Sequence, residues 1–238
     1  MRCALAGGLF AALLLPLLPA SRAEDAKPIL LFNGKDLTGW KFKGGEEKKS
    51  KWAVGVAAVN PAKPNEFGPL APVSAGTPAE LVNTRPGSVD LITEQTFGDC
   101  HLEVEFMIPK GSNSGVYLMG EYEVQIYDTY GQEKLAPNSM GGVYTYSAPK
   151  VNACKKPGEW QKFVIDFQAP KFEGGKKVAN GKFLKVVFND QVIQENVELT
   201  KGVTPGGLTG KEAATGPLMF QGDHGAVAFR NVKITPKK

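Results

Sequence analysis

Apolar and polar side chains alternate along most of this chain. In residues 101–108 the apolar positions are Leu102, Val104, Phe106 and Ile108, with His101, Glu103 and Glu105 between them. The same parity runs through residues 122–128, where Tyr122, Val124 and Ile126 alternate with Glu123, Gln125 and Tyr127. It returns in residues 161–168, where Phe163, Ile165 and Phe167 alternate with Lys162, Val164 and Asp166. A side-chain period of two marks strands that bury one face. Shorter runs at 29–32, 51–59, 88–93, 141–146, 183–188, 191–197, 217–220 and 226–234 read as further strands, separated by turn signals such as Asn33-Gly34 and Pro157-Gly158. No run beyond a turn or two has a helical period, and there is no internal repeat. The pattern predicts an all-β protein, and a two-sheet sandwich is the natural way to bury these alternating faces. Residues 60–77, rich in Pro, Ala and Gly, are expected to form a long surface excursion within one domain.

The amino terminus departs from this pattern. Arg2 is followed by an apolar run over residues 4–20, broken by Pro16 and Pro19, and then by Ser21-Arg22-Ala23. A basic start, an apolar middle and small residues at the end predict a cleavable signal peptide over residues 1–23, with a mature domain at 24–238 and an exported, periplasmic or extracellular protein. Loss of Arg2 and Arg22 lowers the formal net charge from +4 to +2. With basic residues scattered rather than striped, this is no footprint for nucleic acid. No later segment is long and apolar enough to span a bilayer, so no stable membrane insertion is expected after cleavage. Beyond the leader only Cys100 and Cys154 remain. They form either one disulfide or two separate buried thiols.

Familiar catalytic signatures are absent: there is no G-x-S-x-G, no phosphate-binding glycine loop, no HExxH and no CxxC pair. Two histidines, His101 and His224, rule out a three-histidine metal site, so a metal would need oxygen ligands. What remains is a carboxylate-rich surface. If the runs at 101–108 and 122–128 pair as neighbours, Glu103, Glu105, Glu123 and Gln125 line one concave face, with His224 and Asn113 at its rim. Glu105 and Glu123 could then act as general acid and base, provided their environments move their proton affinities apart. Gln125 suits a sugar hydroxyl, and Tyr117 and Tyr127 offer flat faces to a pyranose ring. The plainer alternative is a sheet whose polar face is merely solvated. In Gly111-Ser-Asn-Ser-Gly115, Asn113 and Ser114 could point into the groove, or the run could be only a turn. His224 could shuttle a proton or bind a metal, although a lone histidine is more often structural. Arg230, between Phe229 and Asn231, reads more simply as the brace of a carboxylate.

Four stretches carry a resemblance: LFNGKDLTGW, EFMIPKGSNSGVYLMGEYEVQIYD, GGVYTYSAPKVNACKKPGEWQKFVIDFQAPKF and FQGDHGAVAFRNVKI. In this order they resemble the 3-keto-disaccharide hydrolase family, also described as 3-keto-glucoside lyase/hydratase domains, over nearly the whole chain after the leader. Residues 41–84 are longer and richer in proline than the family's short strands, and Phe188-Asn189-Asp190 departs from its His-Asn-Gly turn. The resemblance implies a concanavalin-A-like jelly-roll fold and cleavage of glycosides already oxidised at C3. The matched polar positions are Glu105, Asn113, Ser114, Glu123, Gln125, Asp128, Gln221, Asp223, His224 and Arg230. On them we lay Glu123 as base and Glu105 or His224 as acid. Gln125, Asn113, Ser114, Tyr127, Asp128, Gln221 and Arg230 are the candidate sugar contacts. A divalent cation held by carboxylates and His224 could polarise the ketone. A non-catalytic carbohydrate-binding module and an ordinary two-carboxylate glycosidase are the rival readings.

Overall fold

The alternating runs become strands, and the computed structural model describes residues 26–237. The proposed leader and its cleavage point therefore lie outside the described residues. In chain order the strands are β1 (Ile29–Leu30), β2 (Trp40–Phe42), β3 (Trp52–Gly55), β4 (Val59–Asn60), β5 (Lys63–Phe67) and β6 (Glu80–Asn83). Then come β7 (Leu91–Phe97), β8 (Cys100–Met107), β9 (Asn113–Leu118), β10 (Tyr122–Tyr127), β11 (Gln161–Gln168) and β12 (Lys171–Glu173). The last are β13 (Lys176–Ala179), β14 (Lys182–Phe188), β15 (Gln191–Glu198), β16 (Gly216–Phe220) and β17 (Val227–Pro236).

Two antiparallel sheets face each other. One has the order β15-β14-β11-β8-β17-β6-β3, with β1 added beside β17; the other runs β10-β9-β16-β7-β2. Leu102, Val104 and Phe106 of β8 and Phe163, Ile165 and Phe167 of β11 turn inward and are fully buried. From the opposite sheet Val116, Tyr122, Val124 and Ile126 meet them in one continuous core. Phe220 of β16 and Phe229 of β17 stack across the interface with ring centroids 3.8 Å apart. The result is an all-β, jelly-roll sandwich of the concanavalin-A-like type, with period-two strands supplying both inner faces. Among the described residues no helix is long and apolar enough to cross a membrane.

Three expectations change. The runs at 101–108 and 122–128 are not neighbours: β8 lies in the larger sheet and β10 in the smaller. Alternation tells which side chains turn inward but not which sheet a strand joins. The connection at 108–112 carries the chain from one sheet to the other, so the two polar faces point to opposite sides of the sandwich. Residues 141–146 form no strand; they fold as turns that close the open edge of β10. There Gln125 N–H donates to the Gly142 carbonyl (2.9 Å) and Gly141 N–H to the Gln125 carbonyl (2.8 Å). The excursion at 60–77 contains β5, which pairs with β4. Cys100 and Cys154 are both free thiols.

Candidate functional site

The outer face of the smaller sheet carries a cleft. Strand parity turns Asn113, Gly115 and Tyr117 of β9 and Glu123, Gln125 and Tyr127 of β10 away from the core, in a register that sets Glu123 opposite Tyr117 and Gln125 opposite Gly115. Loops stand round this floor. Residues 200–215 fold over it, with Leu208 packed on Ile92, Tyr117 and Met219. Residues 221–225 and 141–147 bound the other sides. The cleft, about 160 Å³ in volume, is lined by Asn113, Glu123, Gln125, Gln221 and His224, with Tyr117, Tyr144, Pro205 and Gly206.

Glu123 is the centre of this cleft and only 2 % exposed. Its carboxyl lies over Gly115, where any Cβ would collide with Oε1, so the bare glycine backbone makes the room. Burial is the main reason its proton affinity rises, bringing the pKa up to about 8; a hydrogen bond from Tyr117 pulls the other way, and the charges of Asp223 and Asp90 add to the rise. Tyr117, buried and facing that carboxyl, is held far above the ordinary phenol range and stays protonated. At the mouth, exposed His224 shares Nδ1 with Asp223 at 2.5 Å, which leaves Nε2 as its other ring nitrogen.

Two amide oxygens in the cleft have no partner. Asn113 Oδ1 and Gln125 Oε1 are buried acceptors without a hydrogen-bond donor. A buried acceptor left unmade costs about 1–3 kcal/mol, so both favour a ligand that brings hydroxyl groups. Beside them a second hollow of about 220 Å³ shares Asn113, Gln125 and Tyr144 and adds Tyr127 and Asn138. Tyr127 is 36 % exposed there, so part of its ring is open to a ligand.

Sequence reasoning placed several residues here that the fold sends elsewhere. Glu105 and Arg230 face outward from the larger sheet, across the sandwich from Glu123. Arg230 Nε donates to Glu105 Oε2 at 2.8 Å and its guanidinium stacks 3.9 Å from the Trp160 ring. Burial pushes the Glu105 carboxyl up, but hydrogen bonds from Arg230 and Asn231 outweigh it and hold Glu105 below the usual glutamate value. Glu103 is on the same far face, paired with Lys162. Ser114 is adjacent to Asn113 on a strand, so it points the opposite way; fully buried, its hydroxyl donates to the Gln221 carbonyl at 2.8 Å. Asp128 braces a turn, accepting from Gly111 N–H at 2.8 Å and Tyr130 N–H at 3.2 Å. Glu105→Ala is therefore expected to leave kcat/KM within about twofold and to cost stability of at most about 1 kcal/mol, the pair being partly solvated. Steady-state assays and urea unfolding of the variant check both halves.

The fold also adds residues that sequence reasoning missed. Asp90 is buried beside the cleft, where its Oδ1 accepts from Gly222 N–H and its Oδ2 meets Lys43 Nζ, both at 3.0 Å. Glu121, in the β9–β10 turn, accepts from Thr209 N–H (2.7 Å), Thr209 Oγ1 (2.6 Å) and Gly210 N–H (3.1 Å), and so fastens the 200–215 loop over the site. The glycines of that loop signalled irregular backbone but not the face it covers. Among the described residues no three His, Cys, Asp or Glu side chains gather as metal ligands. The divalent cation envisaged from sequence thus finds no ready ligand set, and no step below runs through one.

Known structures share this architecture. A candidate glycosyl hydrolase from Parabacteroides distasonis ATCC 8503 is 27% identical, with 88% of this chain and 84% of that chain covered and a TM-score of 0.66. Another from the same organism, 21% identical, covers 94% of this chain and 99% of its own at a TM-score of 0.58, which speaks to the fold alone. A comparison with curated proteins finds no match. The family model described as a 3-keto-alpha-glucoside-1,2-lyase-like domain matches residues 27–235, and this chain belongs to that family.

Proposed function

We propose that the cleft cleaves the glycosidic bond of sugars oxidised at C3, by elimination followed by addition of water. The supporting observation is Glu123: a buried carboxyl with no cationic partner among the described residues, at the floor of a cleft whose amide acceptors lack donors. A C3 ketone acidifies the C2–H bond. Ionised Glu123 takes that proton, and the electron pair left on C2 delocalises onto the ketone oxygen. When it returns, a C1=C2 double bond forms and the C1–O bond breaks. The leaving oxygen takes a proton from His224, which stands at the mouth where an aglycone departs. Water then adds its hydroxyl to C1 and a proton to C2, giving net hydrolysis. Gln125 and Asn113 accept ring hydroxyls and fix the sugar. Burial makes Glu123 a stronger base than a solvated carboxylate, which suits proton removal from carbon.

An ordinary glycosidase needs two carboxyl groups facing each other across the bond. Glu123 is the one carboxylate in the cleft lining, and Asp223 is engaged by His224. The fitting experiment offers purified protein a 3-keto-glucoside and its unoxidised parent. Only the keto sugar is expected to be consumed, with transient absorbance from the enone; cleavage of the parent, or no turnover of either, sinks the reading. Where removal of the C2 proton by this base of pKa about 8 limits the rate, kcat/KM should climb about tenfold per pH unit below that value and level off above it. A profile that instead falls through pH 8 makes Glu123 the acid. The reading includes export, supported by the pattern of residues 1–23; amino-terminal sequencing of the secreted protein should then begin near Glu24.

A further inference from the structure

Tyr117 is a buried polar group for which the mechanism above has no use. Its ring is wedged among Ile92, Met219 and Leu208 and cannot swing aside. Its hydroxyl has two neighbours that accept hydrogen bonds. One is the Pro205 carbonyl, 3.3 Å away in the covering loop. The other is the carboxyl of Glu123, directly opposite in register on β10, which lies with the Tyr117 ring over Gly115. The loop comes close because residue 206 is glycine: a Cβ there would sit 2.7 Å from the Tyr117 oxygen, and its φ of +83° disfavours other residues. A phenol has one hydrogen to give and can also accept, so it cannot donate to both neighbours at once.

We propose that Tyr117 is a positioning residue for Glu123, a switch that donates to the Glu123 carboxylate when it is ionised and to the Pro205 carbonyl when it is protonated. In the second state the Glu123 O–H donates to the Tyr117 oxygen, so every hydrogen has an acceptor before and after proton transfer. No covalent bond of Tyr117 is made or broken; its O–H turns about the C–O bond. The switch holds the ionised carboxylate aimed into the cleft and gives the newly protonated acid a partner. The other charged groups near Glu123 are Asp90, with its Lys43 partner, and Asp223 with His224. Ionised Asp90 and Asp223 can only accept, and His224 is engaged by Asp223 at the exposed mouth. The inference rests on the reading of Glu123 as the base, but its test does not need turnover.

The test is an infrared titration of the Glu123 carboxyl band, isolated by subtracting the spectrum of Glu123→Gln. Tyr117→Phe keeps the ring and removes the hydroxyl. The phenol's bond to the ionised carboxylate is stronger than its bond to the neutral acid, so its loss should raise the midpoint by about one pH unit. In the activity assay the limb of kcat/KM should move by the same amount, with KM unchanged and the rate recovered above the new midpoint. An unmoved or lowered midpoint overturns the switch. If the keto sugar proves not to be a substrate, the infrared midpoint still decides it while the proposed function falls. The intact protein supplies a second measurement, independent of how the variant folds. Its tyrosine C–O stretch should shift with the same midpoint as the carboxyl band and stay still in Glu123→Gln. A tyrosine band indifferent to Glu123 ionisation also overturns the proposal.

Discussion

Glu123→Gln is expected to cripple turnover while making the protein more stable. The substitution keeps size and shape but removes the proton-accepting oxygen, so the rate on a 3-keto-glucoside should fall by about 10²–10⁴-fold, the usual worth of a positioned base. The loss should lie in kcat, because Gln125 and Asn113 still hold the ring. The stability gain follows from linkage. Glu123 ionises at about 8 in the folded state against an ordinary 4.5, so above pH 4.5 folding must return to it a proton that the unfolded chain has given up. Its contribution is whole below about pH 4.5, is lost progressively as pH rises to about 8, and changes no further beyond that. Each unit in that window is worth ~1.4 kcal/mol, and the neutral glutamine escapes the loss. Urea unfolding at pH 4.5 and pH 8 should show the variant's advantage growing by a few kcal/mol between them. An advantage independent of pH would mean that the carboxyl is ionised in the folded protein.

Phe229→Ala is expected to be the most damaging single change away from the cleft. Phe229 is fully buried. It stacks on Phe220 of the opposite sheet at 3.8 Å and on Trp52 at 6.2 Å, so it stitches the two layers together. Removing such a ring costs about 3–5 kcal/mol, through lost burial and the cavity left where close-packed neighbours cannot collapse. For a domain of marginal stability that is a large share of the total. The denaturation midpoint should fall accordingly. A loss under about 1 kcal/mol would show that the sheets adhere through other contacts.

The contrast between these residues shows what a sequence can and cannot disclose. Period-two alternation identified Phe106, Phe163 and Val124 as inward because strand geometry is local. It identified Glu123 and Gln125 as outward for the same reason. Whether Glu105 joins them depends on which strands pair, and that is decided by the crossing at residues 108–112, which alternation does not encode. The resemblance put Arg230 among functional positions, whereas its guanidinium lies against Trp160 on the far face. Asp90 escaped notice because it sits in an apolar run, and its importance lies in a partner, Lys43, distant in sequence. The raised proton affinity of Glu123 was equally hidden, since it comes from a loop more than seventy residues away closing over it.

That loop is held in a way that has consequences for changing the protein. Its fastening to the β9–β10 turn is mostly main-chain: Thr204 N–H to the Glu121 carbonyl, Leu208 N–H to the Gly120 carbonyl, and Thr209 and Gly210 N–H to the Glu121 carboxylate. Backbone amides are present whatever side chains the loop carries, proline apart. The clasp is therefore largely indifferent to side-chain identity between its anchors. Between the anchors at Thr204 and Leu208, Pro205 is open to replacement, whereas Tyr117 and Glu121 crowd Gly206 and Gly207 and keep them glycine. A library randomised at Pro205 would vary the cleft's ceiling while leaving the carboxyl beneath it, and the sheet that bears it, undisturbed.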